Sequence, residues 1–177
     1  RTGALLLERT DMRIVQDSSG LKLKGYIENV NRRNPNRFTA QLNGDVKPNG
    51  FSVQALFKDE RGVKGVDMGI EATLEANGDV SFHLFPEESV IAYRKFKVNK
   101  NNHLTIGKDK HISADVDLMA DDKTGLKIMT PAGDSTRDVT LSLANVNLKE
   151  LTGVLPFMPR LGGMLSGDVH AQWKEDT

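Results

Sequence analysis

Apolar and polar residues alternate along most of the chain. Leu21, Leu23 and Ile27 are interleaved with Lys22, Lys24 and Glu28, and Phe38, Ala40, Leu42 and Val46 with Thr39, Gln41, Asn43 and Asp45. Phe51, Val53, Ala55 and Phe57 repeat the pattern, and Val66 to Ala76 carry it without a break. Val80, Phe82 and Leu84 follow, then Ile112, Ala114, Val116 and Leu118, then Val139, Leu141 and Leu143, and last Leu165, Gly167, Val169, Ala171 and Trp173. A period of two marks a half-buried strand, because successive side chains leave a pleated backbone on opposite faces. Leu5 to Leu7 with Met12, Ile14 and Val15 read as an entering strand.

The breaks are turn-like: Asp17-Ser-Ser-Gly20, the polar stretch 31–37, Lys47-Pro-Asn-Gly50, the charged stretch 59–65, Pro86-Glu-Glu-Ser89, 99–102, 121–125 and 131–136. Asn77-Gly78 predicts a two-residue type I′ hairpin, which needs positive φ at both central residues. Val90 to Tyr93 reads as a short helix or a strand edge. No long helical pattern separates the strands, so an antiparallel meander of about a dozen strands is expected rather than parallel βαβ winding.

The period changes once. Asn147 can cap a helix, Glu150 stands where a capping-box partner belongs, and Leu148, Leu151 and Leu155 follow at helical spacing. Pro156 and Pro159 end this helix near 147–155, since neither can donate an amide to it. Gly162 and Gly163 then turn the chain into the last strand.

The run LSLANVNLKELTGVLPFMPRLGGMLSGDVHAQW resembles a repeated unit of the TamB/AsmA-like family of bacterial envelope proteins. There, a strand ending in Asn-x-Asn/Asp-Leu feeds a short leucine helix and then a Gly-x-Leu-Ser-Gly-Asp-Val/Leu strand. Asn145-Val-Asn-Leu148 and Gly163-Met-Leu-Ser-Gly-Asp-Val169 are the matching residues. The upstream run FPEESVIAYRKFKVNKNNHLTIGKDKHISADVDL looks like the family's Bacteroidetes members. The likeness covers the second half of the chain; the first half shares only its style. Leu42-Asn-Gly-Asp-Val46 and Leu165-Ser-Gly-Asp-Val169 form a faint internal echo, in keeping with a modular array.

Composition narrows the classes. Lys plus Arg and Asp plus Glu both total 24, which argues against a nucleic-acid binder. Cysteine is absent, so no thiolate zinc site or disulfide scaffold is expected. No stretch approaches the roughly 20 apolar residues of a membrane helix. The chain opens Arg1-Thr-Gly and is expected to be a single β-rich segment, residues 1–177, of a larger repetitive protein, with a second repeat starting near 136.

The candidate chemistry is thin. His83, His103, His111 and His170 show no metal-ligand spacing and read as surface histidines. Asp115 with Asp117, and Glu71 with Glu75, read as the wet side of a sheet rather than as a glycosidase pair. Asp45 and Asp168, each after a glycine, read as turn or bulge residues. Asp122-Lys-Thr-Gly125 echoes a phosphorylated-aspartate motif, but Leu126 replaces its last Thr and a type I turn accounts for it. Gly107-Lys-Asp-Lys110 lacks the upstream glycine and following helix of a phosphate loop. No enzyme activity and no cofactor are expected.

What remains is the dry face. A sheet with one apolar face must bury it against a second sheet, close into a barrel, or curl into a gutter. Small residues such as Ala40, Gly44, Ala72, Ala114, Gly167 and Ala171 would let it curve. The resemblance implies a β-taco, a folded sheet with an apolar groove between two membranes, serving phospholipid transport or outer-membrane protein assembly. It implies a periplasmic location, an inner-membrane anchor outside this sequence, and an outer-membrane β-barrel assembly partner reached through regions outside it. The lipid acyl chains would lie along Val66, Met68, Ile70, Leu74, Ile112, Val116, Leu118, Leu165, Val169 and Trp173. The helix would cap one end of the groove or plug its mouth. The alternative is a secreted or surface β-sandwich that binds carbohydrate or protein, although one Trp and two Tyr give sugars little to stack on.

Overall fold

The computed structural model describes residues 7–33, 36–131, 138–154 and 158–172. Among these residues lie twelve strands and one helix: β1 (Arg9–Asp17), β2 (Gly20–Asn29), β3 (Phe38–Lys47), β4 (Gly50–Asp59), β5 (Lys64–Leu74), β6 (Val80–Ile91), β7 (Arg94–Val98), β8 (His103–Ile106), β9 (Ile112–Met119), β10 (Gly125–Met129), β11 (Asp138–Asn147), α1 (Leu148–Gly153) and β12 (Met164–Gln172). All strands belong to one antiparallel sheet in chain order. The fold is therefore the expected all-β meander with one short helix. The described strands form no second sheet, as a β-sandwich would require.

The twelve strands fill eleven rows, because β7 and β8 share one place between β6 and β9. The turn at 99–102 interrupts that row, and two asparagine side chains bridge the gap. Asn102 Oδ1 accepts from the Leu84 amide at 2.7 Å while its Nδ2 donates to the Leu84 carbonyl at 3.0 Å. On the other side, Asn99 Oδ1 accepts from the Asp117 amide at 2.9 Å and its Nδ2 donates to the Asp115 carbonyl at 3.0 Å. A side-chain amide carries the same donor and acceptor as a peptide group, so the neighbouring strands keep their ladder partners.

Register puts the alternating residues on one face. Directly paired residues share a face, and Ile14, Leu23, Gly44, Val53, Ile70 and Leu84 are paired in succession across β1 to β6. Val116, Ile128, Leu141 and Val169 continue the face across β9 to β12. A bulge between Leu143 and Val146, with Asn145 at φ 51°, returns Val146 to the same side. Opposite, Gly69 stands against Phe85, whose ring occupies the space a Cβ would need.

Four hairpins share a three-residue loop: 59–63, 75–79, 107–111 and 120–124. In each, the fourth residue donates its amide to the first residue's carbonyl and has positive φ: Gly62 at 77°, Gly78 at 93°, Lys110 at 69° and Lys123 at 64°. This is a type I turn followed by a left-handed bulge residue.

Several local expectations need correcting. Asn77-Gly78 is not a type I′ turn: only Gly78 has positive φ, and β5 ends at Leu74 because Glu75 already opens the loop. The two-residue turn with both φ positive is Ala92-Tyr93, so the stretch from Val90 ends a strand and turns rather than forming a helix. Asp45 and Asp168 are mid-strand residues paired with Ser52 and Ser142, not turn or bulge residues. The helix spans Leu148–Gly153 with Val154 as its C-cap; Leu155, Pro156 and Trp173 lie outside the described residues.

The candidate apolar groove

One end of the sheet carries α1 on its apolar face. Asn147 caps it as the spacing predicts: Oδ1 accepts from the amides of Lys149 at 3.0 Å and Glu150 at 3.4 Å. The Asn147 side-chain Nδ2 in turn donates to Glu150 Oε1 at 3.1 Å. Val154 then packs with Phe38 of β3 and Phe57 of β4, and Ile27, Ala40, Val66 and Ala92 surround them. The two phenyl rings are stacked with centroids 5.4 Å apart.

That contact requires the sheet to curl. Six inter-strand spacings of about 4.8 Å, roughly 29 Å in a flat sheet, separate β4 from β11. Val154 follows Asn147 by about 10 Å of helical rise. Only a sheet folded toward its apolar face brings β3 and β4 within reach of the residue that ends α1.

A polar clasp holds the same end. Arg94, at the start of β7, donates to Glu150 Oε2 at 2.8 Å and to Thr124 Oγ1 at 2.8 Å, and pairs with Asp122. The Thr124 backbone amide, then its hydroxyl and Arg94, hold the Asp122 carboxyl below its usual range. Nearby, burial pushes the Tyr93 phenol up, and the Asp59 carboxylate adds to the effect.

Away from α1 the face is open in part: Ala72, Ala114 and Val116 are buried, but many of its larger side chains are not. Phe51, Val46, Leu74 and Ile106 at the opposite rim are exposed, as are Met12 and Ile14 on β1 and Leu165 and Val169 on β12. Register places the nine described groove candidates on the apolar face, though their environments differ. Val116 and Leu118 are buried core residues, and Val66 packs against the phenyl cluster. Met68 and Ile112 are half-buried. Ile70, Leu74, Leu165 and Val169 are open to solvent, Leu74 at 50% and Val169 at 60%. Trp173 lies outside the described residues. The expected groove residues do not include Met12, Ile14, Phe51 and Ile106, although each lies at an alternating position; which apolar residues stay open depends on where α1 docks. Arg94 gave no signal, because its partners are 28, 30 and 56 residues away.

The histidines make ordinary polar contacts. His83 Nδ1 meets the Asn102 carbonyl at 2.7 Å, His103 Nε2 meets Ser113 Oγ at 3.0 Å, and His111 and His170 pair with Asp109 and Asp138. Asp117 pairs with Lys127 at 2.7 Å. Among the described residues no group of three or more His, Asp or Glu could hold a metal ion, and no helix is long and apolar enough to cross a membrane. No family model matches the chain, and neither a curated protein nor a solved structure matches it significantly.

Proposed function

We propose that this chain is a segment of a TamB/AsmA-like periplasmic bridge whose groove shields phospholipid acyl chains in transit between inner and outer membrane, serving lipid transport or outer-membrane protein assembly. One observation carries the reading: an apolar sheet face that spans eleven rows, is covered by α1 at one end and leaves Ile14, Phe51, Ile70, Leu74, Ile106 and Val169 open to solvent. An apolar face of this extent, rimmed by polar residues, marks a binding surface on a water-exposed protein. Acyl chains fit it because each methylene removed from water contributes roughly 0.8 kcal/mol without directional bonding. The polar outer face, with Lys127 paired to Asp117 and Lys22 to Asp17, keeps the other side wetted. The family likeness of Leu141 to Trp173 supplies the envelope setting, the inner-membrane anchor and the assembly partner, all through regions beyond this sequence.

The test is lipid capture. The purified protein, incubated with phospholipid vesicles and re-isolated, should carry phospholipid detectable by native mass spectrometry. Ile70→Asp and Leu74→Asp change exposed side chains and should abolish capture while leaving the circular dichroism spectrum unchanged. No capture by the unaltered protein, or undiminished capture by both variants, would sink the proposal.

A further inference from the structure

The space beneath α1 is not filled. A cavity of about 150 Å³ lies between the helix and the sheet, walled by Ile91, Phe96, Leu118, Leu126, Val146 and Leu151. The first five lie on the apolar face and Leu151 comes from α1, so the cavity continues the groove under its lid. Its wall is almost wholly hydrocarbon. The one cation among its described lining residues is Arg94, which Asp122 and Glu150 already neutralise. An anion would therefore displace two carboxylates to bind there, whereas a neutral hydrocarbon displaces nothing. In another protein, an apolar cavity of about 150 Å³ stays dry and accepts a benzene-sized guest.

We infer that this cavity is the end stop of the groove, taking the terminal methyl and last few methylenes of an acyl chain while α1 closes over them. The inference rests on the acyl-groove reading and adds a direction to it: the tail points toward α1. The groove is open along its side, so the headgroup remains in water wherever the tail enters. The Arg94 clasp holds the lid against the cavity mouth without offering the tail a charge.

The experiment places a reporter at each end. Trp173, the only tryptophan, is first replaced by Phe, and then Leu151→Trp or Leu74→Trp is added. Leu151 and Leu74 are both partly exposed, so an indole has room at either site. Each protein is loaded from vesicles of phosphatidylcholine brominated at the terminal acyl carbon or next to the headgroup, then separated from the vesicles. Loss of Leu151→Trp emission with terminal bromine, and much less with headgroup-proximal bromine, is the expected result. Quenching of Leu74→Trp alone would leave the groove standing and overturn the end stop. Quenching of neither would overturn both. Should the reporters disturb the fold, xenon titration of the unaltered protein gives an independent reading. The methyl resonances of Leu118, Leu126 and Val146 should shift before those of Ile14 and Val169; equal or absent shifts would overturn the inference.

Discussion

Phe57 and Phe51 occupy the same strand and the same face, six residues apart, yet Phe57 is 5% exposed and Phe51 41%. Nothing in their chemistry separates them. Phe57 lies at the end where Val154 and Phe38 close over it, and Phe51 at the end with no helix. A single curled sheet leaves its own apolar face half-covered; the helix completes the burial, and only locally. Stability and openness are thus assigned to opposite ends of the same strands.

Substitutions can break or sharpen this contrast. Phe57→Ala should cost about 3–5 kcal/mol, as buried aromatic truncations do, whereas Phe51→Ala should cost under about 1 kcal/mol. Urea unfolding measures both, and equal losses would mean the two ends are covered alike. Asn102→Ala comes next: it leaves the Leu84 amide and carbonyl without partners at a site only 3% exposed, a loss of about 1–3 kcal/mol. Val154→Ala should cost about 1–2 kcal/mol at roughly 0.8 kcal/mol per buried carbon. It should also raise binding of an apolar dye at the capped end, which Phe51→Ala should not.

The turns should ignore the contrast. Lys123 at the capped end and Lys110 at the open end both adopt the left-handed conformation, which costs an L-residue about 1 kcal/mol and glycine nothing. Lys123→Gly and Lys110→Gly should therefore each stabilise by about 0.5–1 kcal/mol, and to the same extent. The smallest effect is electrostatic. The depressed carboxyl of Asp122 gives a contribution that is complete above its ordinary value of 3.8 and is lost as pH falls through its lower folded-state value. Asp122→Asn should flatten the acid limb of the stability curve and remove the acid-dependent shift of the Val154 methyl resonances. Asp109, likewise depressed, chiefly by its hydrogen bond from His111, lies at the open end, and Asp109→Asn should leave those resonances unchanged.

The strands were legible because a period of two is enforced at every residue of a half-buried sheet. The capping of α1 was legible for a similar reason: Asn147 and Glu150 act within one turn. The sites missed depend on distance. Val154 meets Phe57 and Arg94 meets Glu150 only after the sheet has curled, and no local pattern encodes those meetings. The Asn77-Gly78 expectation failed because Gly78 suits a three-residue loop as well as a two-residue one. Ala92-Tyr93 escaped notice because neither residue favours positive φ, and the turn is imposed by the Val66–Ile91 pairing and by the bond from Tyr93 to the Gly65 carbonyl.

Sharing one row between β7 and β8 also settles a matter of polarity. It makes the number of rows odd, so β1 and β12 run in the same sense, both away from the rim that holds α1. Two copies laid side by side in one orientation could join their free edges only through a parallel ladder, slanted and slightly weaker than the antiparallel bonding everywhere else. An antiparallel continuation from β12 must instead reverse direction. Two copies joined antiparallel through β12, on a two-fold axis normal to the sheet, would keep their apolar faces on one side and carry their helices on opposite rims.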